Sequence, residues 1–351
     1  MLLRLLKNQH LSILLLLPFL FMALYLPIFY HGVCNPAVEI SNFVFFTFFY
    51  KSPLLYFYFG TFILLVLMIA VNAFAYKHLL FSQRTYLPAF FYFMLNAVNP
   101  NRCFFIESQL LALFMFVVLN HSFNSFREKF EKPTVFIDAF ILTLFIIVLP
   151  ISIYFTFFLF ISISIIRSSG WRMPVMIILG ILAVVIFYST GLFLFNDSIT
   201  SFWQIITSKL WAETSIATLN TFQIYYLSAV FLMIFISIVF IMRRMITQKI
   251  QIQRYQLVLI MLFLFCITLI IIMPSVSFNI LPILSIPASL LLTNYFIANK
   301  FTKLNNLLLL IWIIAIITNN FWSQILYLVS LIPDLSFLLV YVEKIKNLIH
   351  F

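Results

Sequence analysis

Apolar runs recur from residue 11 to residue 342, and the short segments between them carry most of the Lys and Arg. A water-soluble fold cannot accommodate that pattern. The chain has 351 residues, 65% of them apolar and 8% charged, against roughly 45–50% and 25% in soluble globular proteins. Twenty basic and nine acidic side chains are too few to cover such a surface, so lipid must solvate most of it. A cytosolic enzyme, a secreted disulfide scaffold and a disordered tail are thereby excluded.

A helix of about 17–25 apolar residues crosses the roughly 30 Å hydrocarbon layer. On that basis spans are predicted at 11–30, 54–75, 87–98, 104–120, 135–148, 152–166, 174–195, 222–242, 256–273, 280–298, 305–318 and 324–342. The first follows Arg4 and Lys7, but it is too long for a signal segment and no small-x-small site follows it, so it reads as a retained helix. The 135–166 stretch is divided at Pro150, and two crossings fit there only if thin or tilted. Residues 42–50 are too short to cross and read as an interfacial helix. The loop at 197–221 carries Trp203, Ile206, Leu210 and Trp211 near helical spacing, and reads as a second interfacial helix or as a substrate lid.

Basic residues favour cytoplasmic loops. With the N-terminus inside, the cytoplasmic side receives 17 of the 20 Lys and Arg, and the outer side only Lys51, Arg102 and Lys209. The expected fold is therefore all-α: a polytopic transmembrane helical bundle of about 12 spans, both termini cytoplasmic, with short interfacial helices on the outer face. The count drops to 10 or 11 if the 135–166 pair or the last pair does not cross. No internal repeat or Gly/Ser-rich linker divides the chain, so residues 1–351 read as a single membrane domain. The net charge of +11 belongs to this sidedness and not to nucleic-acid binding.

Five glycines (Gly32, Gly60, Gly170, Gly180 and Gly191) leave no phosphate-cradling loop, which excludes a nucleotide-driven pump. They also predict helix packing through Phe, Leu and Ile, with few small-residue crossings.

Few ionisable groups could carry chemistry. Glu128, Glu131 and Glu343 lie among cytoplasmic bases and read as solvated charges. Asp138, one turn inside a span, is expected to snorkel to the interface or to pair with Lys132 or a neighbouring helix, or else to serve as a proton or ion site. Asp334 follows Pro333 and implies either a partner or a break at an interface. On the outer side, Glu39, Glu107, Arg102 and His31 are expected to share one rim. A carboxylate there suits a general base, and Arg102 with His31 suits a lipid phosphate; the alternative is a plain ion pair tying helix ends. Cys34 and Cys103 share the outer side and are expected as free thiols, with a bridge the lesser alternative, while Cys266 is expected to be buried in a span. His10, His31, His78, His121 and His350 are not at ligand spacing, and no metal or other cofactor is expected. Pro274, Pro282 and Pro287, with Ser275, Ser277 and Asn279, suggest a broken helix of the transporter kind.

An acid in the first outer loop and a second in NPNRCFFIESQLLALF, with the late run PSVSFNILPILSIPASLLL, is similar to GT-C-type membrane glycosyltransferases, which use polyprenyl-phosphate sugars. That resemblance implies Glu39 and Glu107 as catalytic acids and polyprenyl phosphate as a ligand. The first outer loop is short and the paired Asp-Glu of the second loop is absent, which implies a degenerate relative equally well. NAVNPNR at 96–102, SFREKFEKPT at 125–134 and VLPIS around Pro150 also resemble a family of uncharacterised polytopic inner-membrane proteins of Bacteroidota. That resemblance implies a bacterial inner membrane and no activity. Three readings follow: a non-catalytic subunit or scaffold of a cell-envelope machine, with membrane lipids and envelope proteins as partners; a GT-C-like enzyme; or a small-solute or lipid transporter.

Overall fold

The structure is a computed structural model that describes residues 53–81, 83–97, 105–124, 132–147, 152–166, 171–194, 221–272, 280–298, 303 and 305–316. Expected spans 11–30 and 324–342, the two interfacial helices, Pro150 and Asp334 lie outside the described residues. Within them every regular element is a helix. That follows from the solvent: hydrocarbon offers no partner for backbone N–H and C=O groups, so each segment must satisfy its own.

The helices are α1 (Pro53–Lys77), α2 (Leu87–Asn96), α3 (Phe105–Asn124), α4 (Lys132–Leu144, prolonged by a 3₁₀ turn Phe145–Ile147), α5 (Ser152–Ile166), α6 (Arg172–Leu194), α7 (Thr221–Met245), α8 (Ile250–Ile272), α9 (Leu281–Ala298) and α10 (Asn305–Ile316). Six of them, α1, α3, α6, α7, α8 and α9, are long and apolar enough to cross a membrane, making this a multi-pass helical membrane protein. The other four are shorter. The ten residues of α2 rise only about 15 Å, half the hydrocarbon thickness.

Contacts near the helix ends show the chain running back and forth. The segment after α1 meets the last turns of α3 through His78 and Asn120. His121 of α3 meets Asp138 near the start of α4. At the same end the start of α8 reaches the ends of α3 and α5, where Tyr255 donates to the Phe123 carbonyl and Arg254 to that of Ile166. Phe240 of α7 packs on Tyr295 of α9, close to the C-terminal ends of both. Every basic residue among the described ones falls at this end: Lys77, Arg84, Lys132, Arg172, Arg243, Arg244, Lys249, Arg254 and Lys303. The opposite end has none among the described residues.

Helix α9 is central. It packs against α2, α3, α7 and α8, and 78% of its eighteen residues are buried, against 22% and 28% of the most apolar parts of α6 and α7. Every residue from Leu281 to Thr293 is buried, as is every residue of α2. Small side chains at Ser285, Ala288 and Ser289 keep α9 narrow, and their hydroxyls bond within the helix, Ser285 to the Leu281 carbonyl and Ser289 to that of Ile286. Phe91 of α2 fills the space between α9 and α10, 5.0 Å from the Phe296 ring and 5.6 Å from that of Trp312. Pro282 sits in the first turn of α9, where its missing N–H costs nothing, and the helix continues past Pro287. The predicted helix break is thus absent between Leu281 and Ala298, and residues 273–279 lie outside the described residues. Outward faces of α6 and α7 carry exposed Ile178, Leu182, Phe187, Leu232, Phe235 and Val239, as lipid contact requires.

Large side chains dominate the packing, as the glycine count implies, and a close crossing lies at Gly180. A Cβ at Gly180 of α6 would lie 2.8 Å from both the Ala139 Cβ and the Phe136 carbonyl of α4. One at Gly191 would meet nothing within 4 Å. Gly180→Ala is therefore expected to cost about 1–3 kcal/mol through overpacking. Gly191→Ala should be neutral, or stabilising by up to about 1 kcal/mol through helix propensity. Unfolding in one detergent compares the two, and equal effects would contradict the close α4–α6 crossing. The alternation makes a second prediction: cysteines replacing the exposed Arg84 and Lys249 should label from the same side of sealed vesicles.

Candidate functional site

Two polar clusters stand at opposite ends of α3, separated by the apolar run Leu110–Leu119. The first is built on the N-terminal turns of α3. Glu107 lies in its first turn, where the helix dipole favours an acid, and the residue is only 1% exposed. Tyr56 of α1 donates its hydroxyl to Glu107 Oε2 at 3.1 Å and accepts the Ile106 N–H at 3.2 Å. One phenol thus serves the carboxylate and an otherwise unpaired amide at the helix start. Beside it Tyr92, Asn96 and Gln109 close a ring. Tyr92 donates to Gln109 Oε1, Gln109 Nε2 to Asn96 Oδ1, and Asn96 Nδ2 to the Tyr92 carbonyl, at 3.1, 3.1 and 2.8 Å. All three residues are buried.

The second cluster belongs to the basic end. A turn after α1 presents His78. Leu79 takes a positive φ of 52°, and the Leu80 N–H bonds the Ala75 carbonyl while that of Leu79 bonds Tyr76, a Schellman arrangement usually made with glycine. It seats the buried His78 ring among Phe74, Phe123 and Tyr255, at 4.6, 5.3 and 5.4 Å. Phe123 and Tyr255 stack at 4.2 Å. His78 Nε2 lies 3.3 Å from Asn120 Oδ1, and an amide oxygen there requires the proton on Nε2. One residue further along α3, His121 Nδ1 lies 2.6 Å from Asp138 Oδ1. The imidazole is 37% exposed and the carboxylate 5%. Lys77 of α1 is within electrostatic reach of His121.

Of the four residues expected on the outer rim, Glu107 is described and lies inside the bundle against Tyr56; Glu39, Arg102 and His31 lie outside the described residues, as do Cys34 and Cys103. Cys266 is a free, buried thiol, as expected of a span residue. Asp138 does pair with a neighbouring helix, through His121. Sequence reading missed His78 and His121, and their signal was available: each is a histidine within a turn or two of a basic helix end, beside Asn120 or facing an acid. Among the described residues no three His, Cys, Asp or Glu side chains gather as metal ligands.

Chemically, the first cluster holds an acid under cover and the second presents an acid-oriented imidazole at an accessible end. Tyr56→Phe is expected to cost about 1 kcal/mol. That exceeds the roughly 0.6 kcal/mol average of interhelical hydrogen bonds in membranes, because one hydroxyl serves two groups. Thermal unfolding measures this, and an unchanged midpoint would remove Tyr56 as the partner of Glu107. Comparison with known proteins yields no matching family model, no matching curated protein and no matching solved structure.

Proposed function

We propose that the chain is a non-catalytic integral subunit or scaffold of a bacterial cell-envelope assembly, held in the inner membrane. The observation supporting this reading is the burial of its two innermost helices. Side chains of α2 and of the first thirteen residues of α9 are enclosed throughout. The acid that a GT-C-like mechanism would use, Glu107, is engaged by Tyr56 and covered. A catalytic base must reach its substrate, whereas a carboxylate placed to tie α3 to α1 needs no access. Partners would be membrane lipids and other envelope membrane proteins, met by the exposed apolar faces of the peripheral helices.

A GT-C-like glycosyltransferase remains the second reading, favoured by the position of Glu107 at the N-terminus of α3, opposite the basic end. One experiment separates the two. The purified full chain in proteoliposomes is given a polyprenyl-phosphate sugar and a hydroxyl acceptor, and release of polyprenyl phosphate is followed. The scaffold reading predicts no release above protein-free vesicles, together with cross-linking of the chain into a larger complex in its native membrane. Release that is lost in Glu107→Gln, with folding intact, would replace the scaffold by the enzyme.

A further inference from the structure

Asp138 and its neighbour Ala139 occupy a junction of three helices. Asp138 reaches α3 through His121, while Ala139 receives the bare backbone of Gly180 on α6. α4 is thus gripped on one side by shape and on the other by charge. The steric grip is permanent. The ionic one exists only while the imidazole carries its second proton, because neutral histidine offers a carboxylate a hydrogen bond without a charge.

We infer that His121 and Asp138 form a proton-binding site, open to the basic end of the bundle, that docks the α4–α6 pair against α3 when it is occupied. The carboxylate is almost fully covered and its imidazole partner is more than a third exposed, so protons enter from the histidine side. Occupied, the site is a compensated ion pair. Emptied, it leaves a covered carboxylate without its counter-charge, which a low-dielectric site penalises.

Lys77, from α1, also acts on His121, and its positive charge opposes occupancy. Helices α5 and α9, which also pack on α3, carry no charged side chain. Arg254 of α8 is turned to the Ile166 carbonyl. An imidazole changes charge between about pH 5 and 8, so docking is complete in acid and is lost as pH rises through that range. This inference holds whether the chain is a scaffold or an enzyme.

The test uses the full chain in lipid nanodiscs, with thermal midpoints read from pH 5.5 to pH 8.5. Wild type should lose several degrees as pH rises. The double variant His121→Gln with Asp138→Asn should be flat, because neither amide can ionise and no uncompensated carboxylate is left to titrate. His121→Lys, which keeps a charge throughout, should be flat without the alkaline loss. A wild-type midpoint independent of pH, or a slope that survives in the double variant, would overturn the inference. Should a variant fail to fold, spin labels on the exposed Ile69 of α1 and Ile186 of α6, with His121 and Asp138 intact, report the docking directly. Their distance distribution should broaden above the imidazole range, and one unchanged from pH 5.5 to pH 8.5 would equally overturn it.

Discussion

The absence of water in the bilayer interior is the constraint on which the rest of this structure depends. It forces backbone polar groups into helices, and it removes the ordinary hydrophobic drive for those helices to associate, since lipid chains are as apolar as leucine. What remains is fit and polar pairing. The fit is made by aromatic rings: Phe91 between Phe296 and Trp312, and Phe123 stacked on Tyr255. Small residues act where helices come closest, at Gly180 against Ala139 and along Ser285, Ala288 and Ser289 of the enclosed α9.

Polar pairing then selects which helices are neighbours. Tyr56 and Glu107 join α1 to α3, Tyr92 and Gln109 join α2 to α3, and Ser237 joins α7 to α9 by donating to the Leu291 carbonyl. His121 and Asp138 join α3 to α4. Each bond recruits a side chain that could not remain unpaired in hydrocarbon without cost. The polar residues therefore work less as a surface than as addresses. Helix α3 collects them from both of its ends, which makes it the connector between the enclosed helices and the peripheral α4–α6 pair.

Much of this was legible in the sequence, because hydropathy reports directly on the solvent. Ten of the expected spans coincide with described helices, and the basic residues among the described ones gather at one end, as the expected alternation requires. What escaped the reading lies where helices outlast their apolar run. The span expected at 104–120 continues to Asn124 and so takes in His121 and Phe123, and the one expected from 256 begins at Ile250 and takes in Arg254 and Tyr255. A criterion that ends a helix with its apolar run discards the turn that carries the second cluster. Partners such as Tyr56 and Glu107, 51 residues apart, have no spacing that a sequence could reveal. Their pairing is set by which helices become neighbours. The enclosure of α2 was hidden for a different reason: a short helix buried on all sides has the same composition as part of a lipid-facing span.

The central claim is that α9 is enclosed by side chains and closed to water from Leu281 to Thr293. A cysteine at Ser289, in the middle of that helix, tests it most directly, with Cys34 and Cys103 replaced by serine. A small charged methanethiosulfonate, applied from either side of the membrane, should leave the thiol unmodified until the protein is denatured. Prompt modification of the folded protein from either side would show an aqueous path to the centre, contradict the filled bundle, and return the transporter and enzyme readings to the front.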